Sequence, residues 1–533
     1  MITCYENARV FTATGNAADC FVVSDGRFVF VGRMAEAHAA YPDADCVDLK
    51  GRFVCPGFND SHMHLLELGC ALTQAQLQNH TSSLAEVLQA VRQFALEHPQ
   101  EDWILGRGWN HDFFADENRF PTREDLDAVC PDKPCLITRA CGHVAVANSC
   151  ALRLCGIEDS APVVSGGTVQ CNESGRPSGI LEENAISLVS SRIPAPDREG
   201  IKRRLILAME TVAAFGITSV QSDDFCALEV PFEEVILAYQ ELKSEERMTV
   251  RVYEQCLLPT EELLTRFLRA GYHTGWGDEI FRLGPLKLLT DGSLGARTAY
   301  LRAPYSDAPN SCGTAIYTQE ALNSMVMNAH KAGMQIAAHA IGDGAAEAVL
   351  QAVERAQAAH PRSDARHGIV HAQILTSEQA ERMGKLGMHA YIQPIFLDYD
   401  TQIVFPRIGD RALDAYPAAS LSKHGVSSSG GSDCPVELCD VMKGIQCAVT
   451  RKSVTRPAEH PYLPHEALPL SKAISCFTRD GAYASFEENV KGRIAAGYYA
   501  DFTLLGIDPF ETDPSWIHKI PIRAVYTGGK KVF

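Results

Sequence analysis

"RFVCPGFNDSHMH" runs from Arg52 to His64 and joins an apolar, strand-like run to two histidines one residue apart, His62 and His64. If the segment ends a strand, residues i and i+2 point to the same side. Two imidazoles on one side can grip one metal ion. They can equally be two polar residues at the start of a loop. The decision rests on what surrounds them.

Counting 52–58 as the first, short apolar runs recur at 215–221, 248–256, 281–289, 334–338, 367–371, 388–393 and 425–431. Helical patterns separate most of them, such as "TQEALNSMVMNAHKAG" and "TSEQAERMGKLG", each ending in glycine as helix C-termini tend to. Eight strand–helix repeats point to an α/β fold, a (β/α)8 TIM barrel. Both chain ends read differently. "CFVVSDGRFVFVG" is two strand-like runs around Asp25-Gly26, a hairpin turn signal, and "IPIRAVYTGGKKVF" repeats the pattern around Gly528-Gly529. Neither end alone has enough strands to bury a sheet face. The expectation is therefore a composite β-sandwich from 1–57 plus 486–533, with the barrel domain over 58–485. The interval of about 70–200 is too long for one loop and helix. It reads as an α/β subdomain inserted after the first barrel strand, with "GGTVQCNESGRPSG" as a hairpin rather than a phosphate cradle, because it lacks the Gly-Lys-Ser/Thr ending.

The bulk properties narrow the function classes. The chain of 533 residues carries a net charge of −18, which argues against a nucleic-acid partner. No apolar run approaches the ~18 residues of a membrane span, and no basic-then-apolar leader is evident, so no membrane association and a cytoplasmic location are expected. None of the 18 cysteines is spaced C-x-x-C, and the reading is of reduced, mostly buried thiols. The partner is expected to be a small-molecule substrate, and a homo-oligomer is only the default for such a chain.

In a TIM barrel the site is built at the C-terminal ends of the strands. Six ligand-type residues fall there: His62 and His64 after the first run, Lys287 within the fourth, His339 and His371 at the ends of the fifth and sixth, and Asp433 after the eighth. Each has a plain alternative. A strand-end histidine is often just hydrogen-bonded, "GGSD" also fits a helix N-cap, and Lys287 could pair with a neighbouring acid to offset its burial. Co-location at one predicted face favours metal binding. Imidazole and carboxylate suit Zn2+ and related divalent ions, and the set contains no cysteine.

"PGFNDSHMH", "LKLLTDGSLG", "QIAAHAIGDGA", "VHAQ" and "GGSDCPVE", in this order, resemble the amidohydrolase superfamily. More narrowly they are similar to its YtcJ-like branch, which includes N-substituted formamide deformylase. The resemblance spans nearly the whole chain. It implies that His62, His64 and Asp433 hold one metal and that His339 and His371 hold a second. Lys287 matches a lysine that many relatives carbamylate to bridge both ions, although a one-ion arrangement stays open. It also implies a hydrolase acting on a non-peptide C–N bond, of the amide or N-formyl type. Hydroxide generated on the metal would attack, with Asp433 shuttling the proton. The alternative is a deaminase of an aminated heterocycle on the same site, and a non-enzymatic scaffold would have lost ligands. Stretches around Trp109, His111 and His143 are similar to branch segments that face substrate, but they read equally well as structural residues of the insertion. Arg297, in "DGSLGARTAYLRAPYSD", is a further candidate for substrate contact.

Overall fold

The structure, a computed structural model, describes residues 2–15, 17–141 and 143–533. Eight parallel strands form one sheet in chain order. They are β1 (Phe58–Met63), β2 (Ile217–Ser222), β3 (Arg251–Leu257), β4 (Phe281–Leu289), β5 (Ile336–Ala340), β6 (Gly368–His371), β7 (His389–Ile392) and β8 (Ser427–Gly430). β8 returns beside β1 without a ladder. The gap is bridged just past the strands, where Asp433 N–H donates to His62 O (2.8 Å) and His64 N–H donates to Cys434 O (2.8 Å). The result is a nearly closed parallel barrel. Its strands are buried almost throughout, which is why the middle ones read as near-continuous apolar runs rather than alternating ones, while β1 and β8 bury mainly polar residues.

The first run is a correction. The sequence places it at 52–58, but the chain changes sheets inside it. Phe53–Pro56 belongs to a chain-end sheet and β1 begins at Phe58. His62 therefore lies within the first barrel strand and His64 directly after it. Both helical patterns quoted above form helices with side-chain caps. Thr318 accepts from Ala321 N–H at the start of Gln319–Lys331, and Thr376 forms a reciprocal box with Gln379 at the start of Ser377–Lys385.

Two further sheets lie at the chain ends, the first built from N-terminal strands alone and the second from strands of both ends. One has four strands, ordered Arg27–Gly32, Cys20–Ser24, Ile2–Glu6, Asp45–Asp48. The other has six, in which Ile522–Thr527, Phe502–Leu505, Phe53–Pro56 and Arg9–Phe11 are consecutive neighbours. They share a core: Phe502 lies 4.9 Å from Phe21 and 5.1 Å from Tyr5, ring centre to ring centre. At the Asp25-Gly26 turn both residues have positive φ (50° and 74°), the primed geometry that suits a two-residue hairpin.

The chain divides into two compact units, Met1–Glu67 with Leu205–Phe533, and Leu68–Arg204. The second contains its own six-stranded sheet, ordered Gly167–Cys171, Pro177–Glu183, Val144–Ala147, Cys135–Arg139, Ile104–Trp109, Ala75–Gln76. "GGTVQCNESGRPSG" is the antiparallel hairpin at one edge of that sheet. Among the described residues no cysteine is in a disulfide, and no helix is long and apolar enough to cross a membrane.

Candidate metal centre

Each imidazole at the barrel rim is oriented by a bond on its outer nitrogen. His62 Nδ1 lies 2.7 Å from Gln255 Oε1, and Gln255 is itself oriented by donating Nε2–H to Ser61 O (3.1 Å). His64 Nδ1 lies 3.2 Å from Asp223 O. His371 Nδ1 lies 2.8 Å from Gln393 Oε1, while Gln393 Nε2–H donates to Tyr391 O. His339 is reversed, with Nε2 3.2 Å from both Gly292 O and Asp291 Oδ1. All these partners are acceptors, so each outer nitrogen carries the proton. A neutral ring, as His62 and His371 are, turns its other nitrogen inward as a lone pair, and His64 must lose a proton to do the same.

The inward atoms converge. His62 Nε2 and His64 Nε2 each lie 3.1 Å from Asp433 Oδ1, and one ligand atom of each of these three residues lies within 4.8 Å of the others. His371 Nε2 faces His339 Nδ1 at 3.0 Å. The two groups are adjacent, with the rings of His62 and His371 5.6 Å apart. Lys287, 1% exposed, puts Nζ 3.5 Å from His62 Nε2 and 3.2 Å from Asp223 Oδ2.

Charge states sharpen the arrangement. Burial pushes His62 down to about 4, with Lys287 adding to the effect, and burial likewise holds His371 well below the ordinary histidine value. Both are neutral at pH 7. Burial would lower His64 as well, but Asp433 and Asp223 outweigh it and raise that ring to about 9. Burial would raise the Asp433 carboxyl, yet the His62 and His64 imidazoles beside it hold it well below the usual carboxylate range. A neutral His62 therefore aims a lone pair at a carboxylate oxygen, and His371 aims one at the inward nitrogen of His339. Imidazole nitrogens and a carboxylate oxygen are the donors a zinc-type divalent ion takes, so the residues present fit such an ion.

Backbone geometry serves the same placement. His371 and Asp433 have φ of +73° and +61°, a left-handed conformation that costs a non-glycine residue about 1–2 kcal/mol. Gly431 lies against the backbone of His62, where an added Cβ would sit 2.7 Å from His62 N. Only glycine permits that approach.

Sequence reading missed Gln255, Gln393, Asp223 and Asp291. Two of them had a signal: Gln255 interrupts a buried strand, and Asp223 follows the end of β2. The remaining candidates are placed as follows. Trp109 is fully buried in the insertion's own core beside Ile137 and Val146, so its ring has no surface to offer a substrate. His111 packs edge-on against Phe120 (4.5 Å), with Arg139 Nε 3.4 Å from its Nδ1. His143 is exposed and paired with Glu183 at 2.9 Å. Arg297 is held by both carboxylate oxygens of Asp307 (2.9 and 3.1 Å).

The outer bonds are testable. Gln255→Leu removes the partner that orients His62 and is expected to weaken divalent-metal affinity ~10–100-fold. Competition against a chelator of known affinity measures it, and unchanged affinity would remove Gln255 from this role.

A model of the Amidohydrolase family matches residues 45–533. YtcJ of Bacillus subtilis (strain 168) is 33% identical over 530 residues, covering 97% of this chain and 96% of that protein. N-substituted formamide deformylase of Arthrobacter pascens is 26% identical, covering 98% of this chain and 96% of that protein. The crystal structure of an uncharacterized metal-dependent hydrolase from Pyrococcus furiosus superposes with a TM-score of 0.79 at 28% identity, covering 96% of this chain and all of that one.

Proposed function

Because the chain belongs to the amidohydrolase family, we propose that it hydrolyses a non-peptide C–N bond of the amide or N-formyl type. The observation that carries this reading is the inward convergence of His62 Nε2, His64 Nε2 and Asp433 Oδ1, with His339 and His371 alongside. His62, His64 and Asp433 would hold one divalent ion, zinc by its donor set, and His339 with His371 a second. Such an ion supplies Lewis acidity and lowers the pKa of water to ~7.

The chain's own residues supply the rest. Asp433, ionised at neutral pH, accepts the proton of the attacking water and returns it to the departing nitrogen. Gln255, Gln393 and the Asp223 carbonyl keep the imidazoles turned inward. Lys287 places Nζ 3.5 Å from His62 Nε2. Its pair with Asp223 accounts for an unmodified ammonium in a buried position, and carbamylation by CO2 would convert it into an anionic ligand.

The relative from Arthrobacter pascens is named for a formamide substrate, so N-formyl amines are the first substrates to test. Stripping metal with a chelator is expected to lower turnover by ~10²-fold or more, and Zn2+ is expected to restore it. A bicarbonate requirement during restoration would point to carbamylated Lys287. Full turnover by metal-free protein would overturn the proposal. Release of ammonia from aminated heterocycles, with no amine released from N-acyl substrates, would replace it with a deaminase.

A further inference from the structure

Outside the barrel, three segments near the start of the chain bring sulfur, nitrogen and oxygen donors together. The strand Ile2–Glu6 carries Cys4 and Glu6 two residues apart, hence on one face. The helix Met34–Ala40 supplies His38. The strand Asp45–Asp48 supplies Cys46, the ladder partner of Cys4. One donor atom from each of the four residues lies within 4.8 Å of the others. His38 Nε2 is 2.5 Å from Glu6 Oε2 and 4.0 Å from Cys46 Sγ. Another thiol, Cys20 Sγ, lies 3.3 Å from Cys4 Sγ.

We propose that Cys4, Glu6, His38 and Cys46 form a zinc site that ties the helix Met34–Ala40 to the four-stranded sheet. Two thiolates, one imidazole and one carboxylate are donor types of four-coordinate zinc. Zn–S bonds of about 2.3 Å and Zn–N or Zn–O bonds of about 2.0 Å imply ligand-to-ligand edges of roughly 3.3–3.8 Å. To reach those edges the His38–Glu6 pair must open from 2.5 Å while the wider separations, all within 4.8 Å, draw in. Cys4 is 1% exposed and pre-positioned by the ladder, while His38 and Cys46 are exposed and leave an entry path. Thiolate ligation expels the cysteine protons, so binding tightens as pH rises.

The donor chemistry separates this site from the barrel, whose inward set contains no sulfur. The full chain, stripped of metal and titrated with Co2+, is expected to show a near-ultraviolet thiolate-to-cobalt charge-transfer band. Cys46→Ser should cut that band at least about twofold and remove one equivalent of tightly bound Zn2+. His38→Gln should weaken zinc binding about tenfold or more. The band should persist in Asp433→Asn. The proposal is overturned if the wild type shows no such band, if zinc stoichiometry is the same in Cys46→Ser and His38→Gln as in the wild type, or if Cys4 is found in a disulfide.

Discussion

Asp433→Asn is expected to lower kcat by ~10²–10⁴-fold, the range for removing a positioned general acid–base group. The substitution is a fair test because asparagine tolerates the left-handed backbone found at φ +61°. It keeps the size of the side chain and one acceptor oxygen. The Asp433 N–H···O bond to His62 is made by backbone and survives. What is lost is an anion able to take a proton while lying 3.1 Å from two imidazoles. The measurement is turnover of an N-acyl amine accepted by the wild type, with circular dichroism to show an unchanged fold. Wild-type kcat in this variant would take Asp433 out of proton transfer.

Asp501→Ala is expected to lower stability by about 3–5 kcal/mol, the cost of stranding a buried charge. Arg251, on β3, donates Nε–H and Nη2–H to the two Asp501 oxygens at 2.7 and 3.1 Å. The two side chains are only 5% and 4% exposed. The same carboxylate accepts from Gly528 N–H (2.7 Å), and the guanidinium lies 4.0 Å from the Tyr499 ring. Removing the acid leaves a cation without its counter-ion where the barrel meets a chain-end sheet. The urea midpoint should fall accordingly, and a shift under about 1 kcal/mol would show that water reaches Arg251.

The barrel was legible because its strands are buried on both faces and stand out as apolar runs between amphipathic helices. The boundary at Gly57 was not. Phe53–Pro56 (FVCP) runs on through Gly57 into Phe58 as one apolar stretch, and only pairing partners made elsewhere in the chain show that the sheet changes there. Ligand-type residues could be placed on strand ends by counting. Their orientation could not, since it depends on cross-strand partners. Gln255 lies on β3 and acts on His62 of β1, a relation that no local pattern encodes. It does leave a trace: "RVYEQCL" places Arg251, Glu254 and Gln255 in a buried stretch, where each needs a partner. Trp109 shows how sequence leaves two readings open. A large aromatic beside Asn110 and His111 invites a binding role, but its strand belongs to the insertion's core.

The chain-end ladder also has a consequence for synthesis. Cys55 and Thr503, neighbours across that ladder, are 448 residues apart. At ribosomal speeds of about 5–20 residues per second, Phe53–Pro56 waits roughly 20–90 s for its partner to be made. During that interval an apolar strand edge stands open to any other nascent chain. Biogenesis of this molecule should therefore depend on chaperone capacity, and crowded expression should drive it toward inclusion bodies before it affects any finished copy.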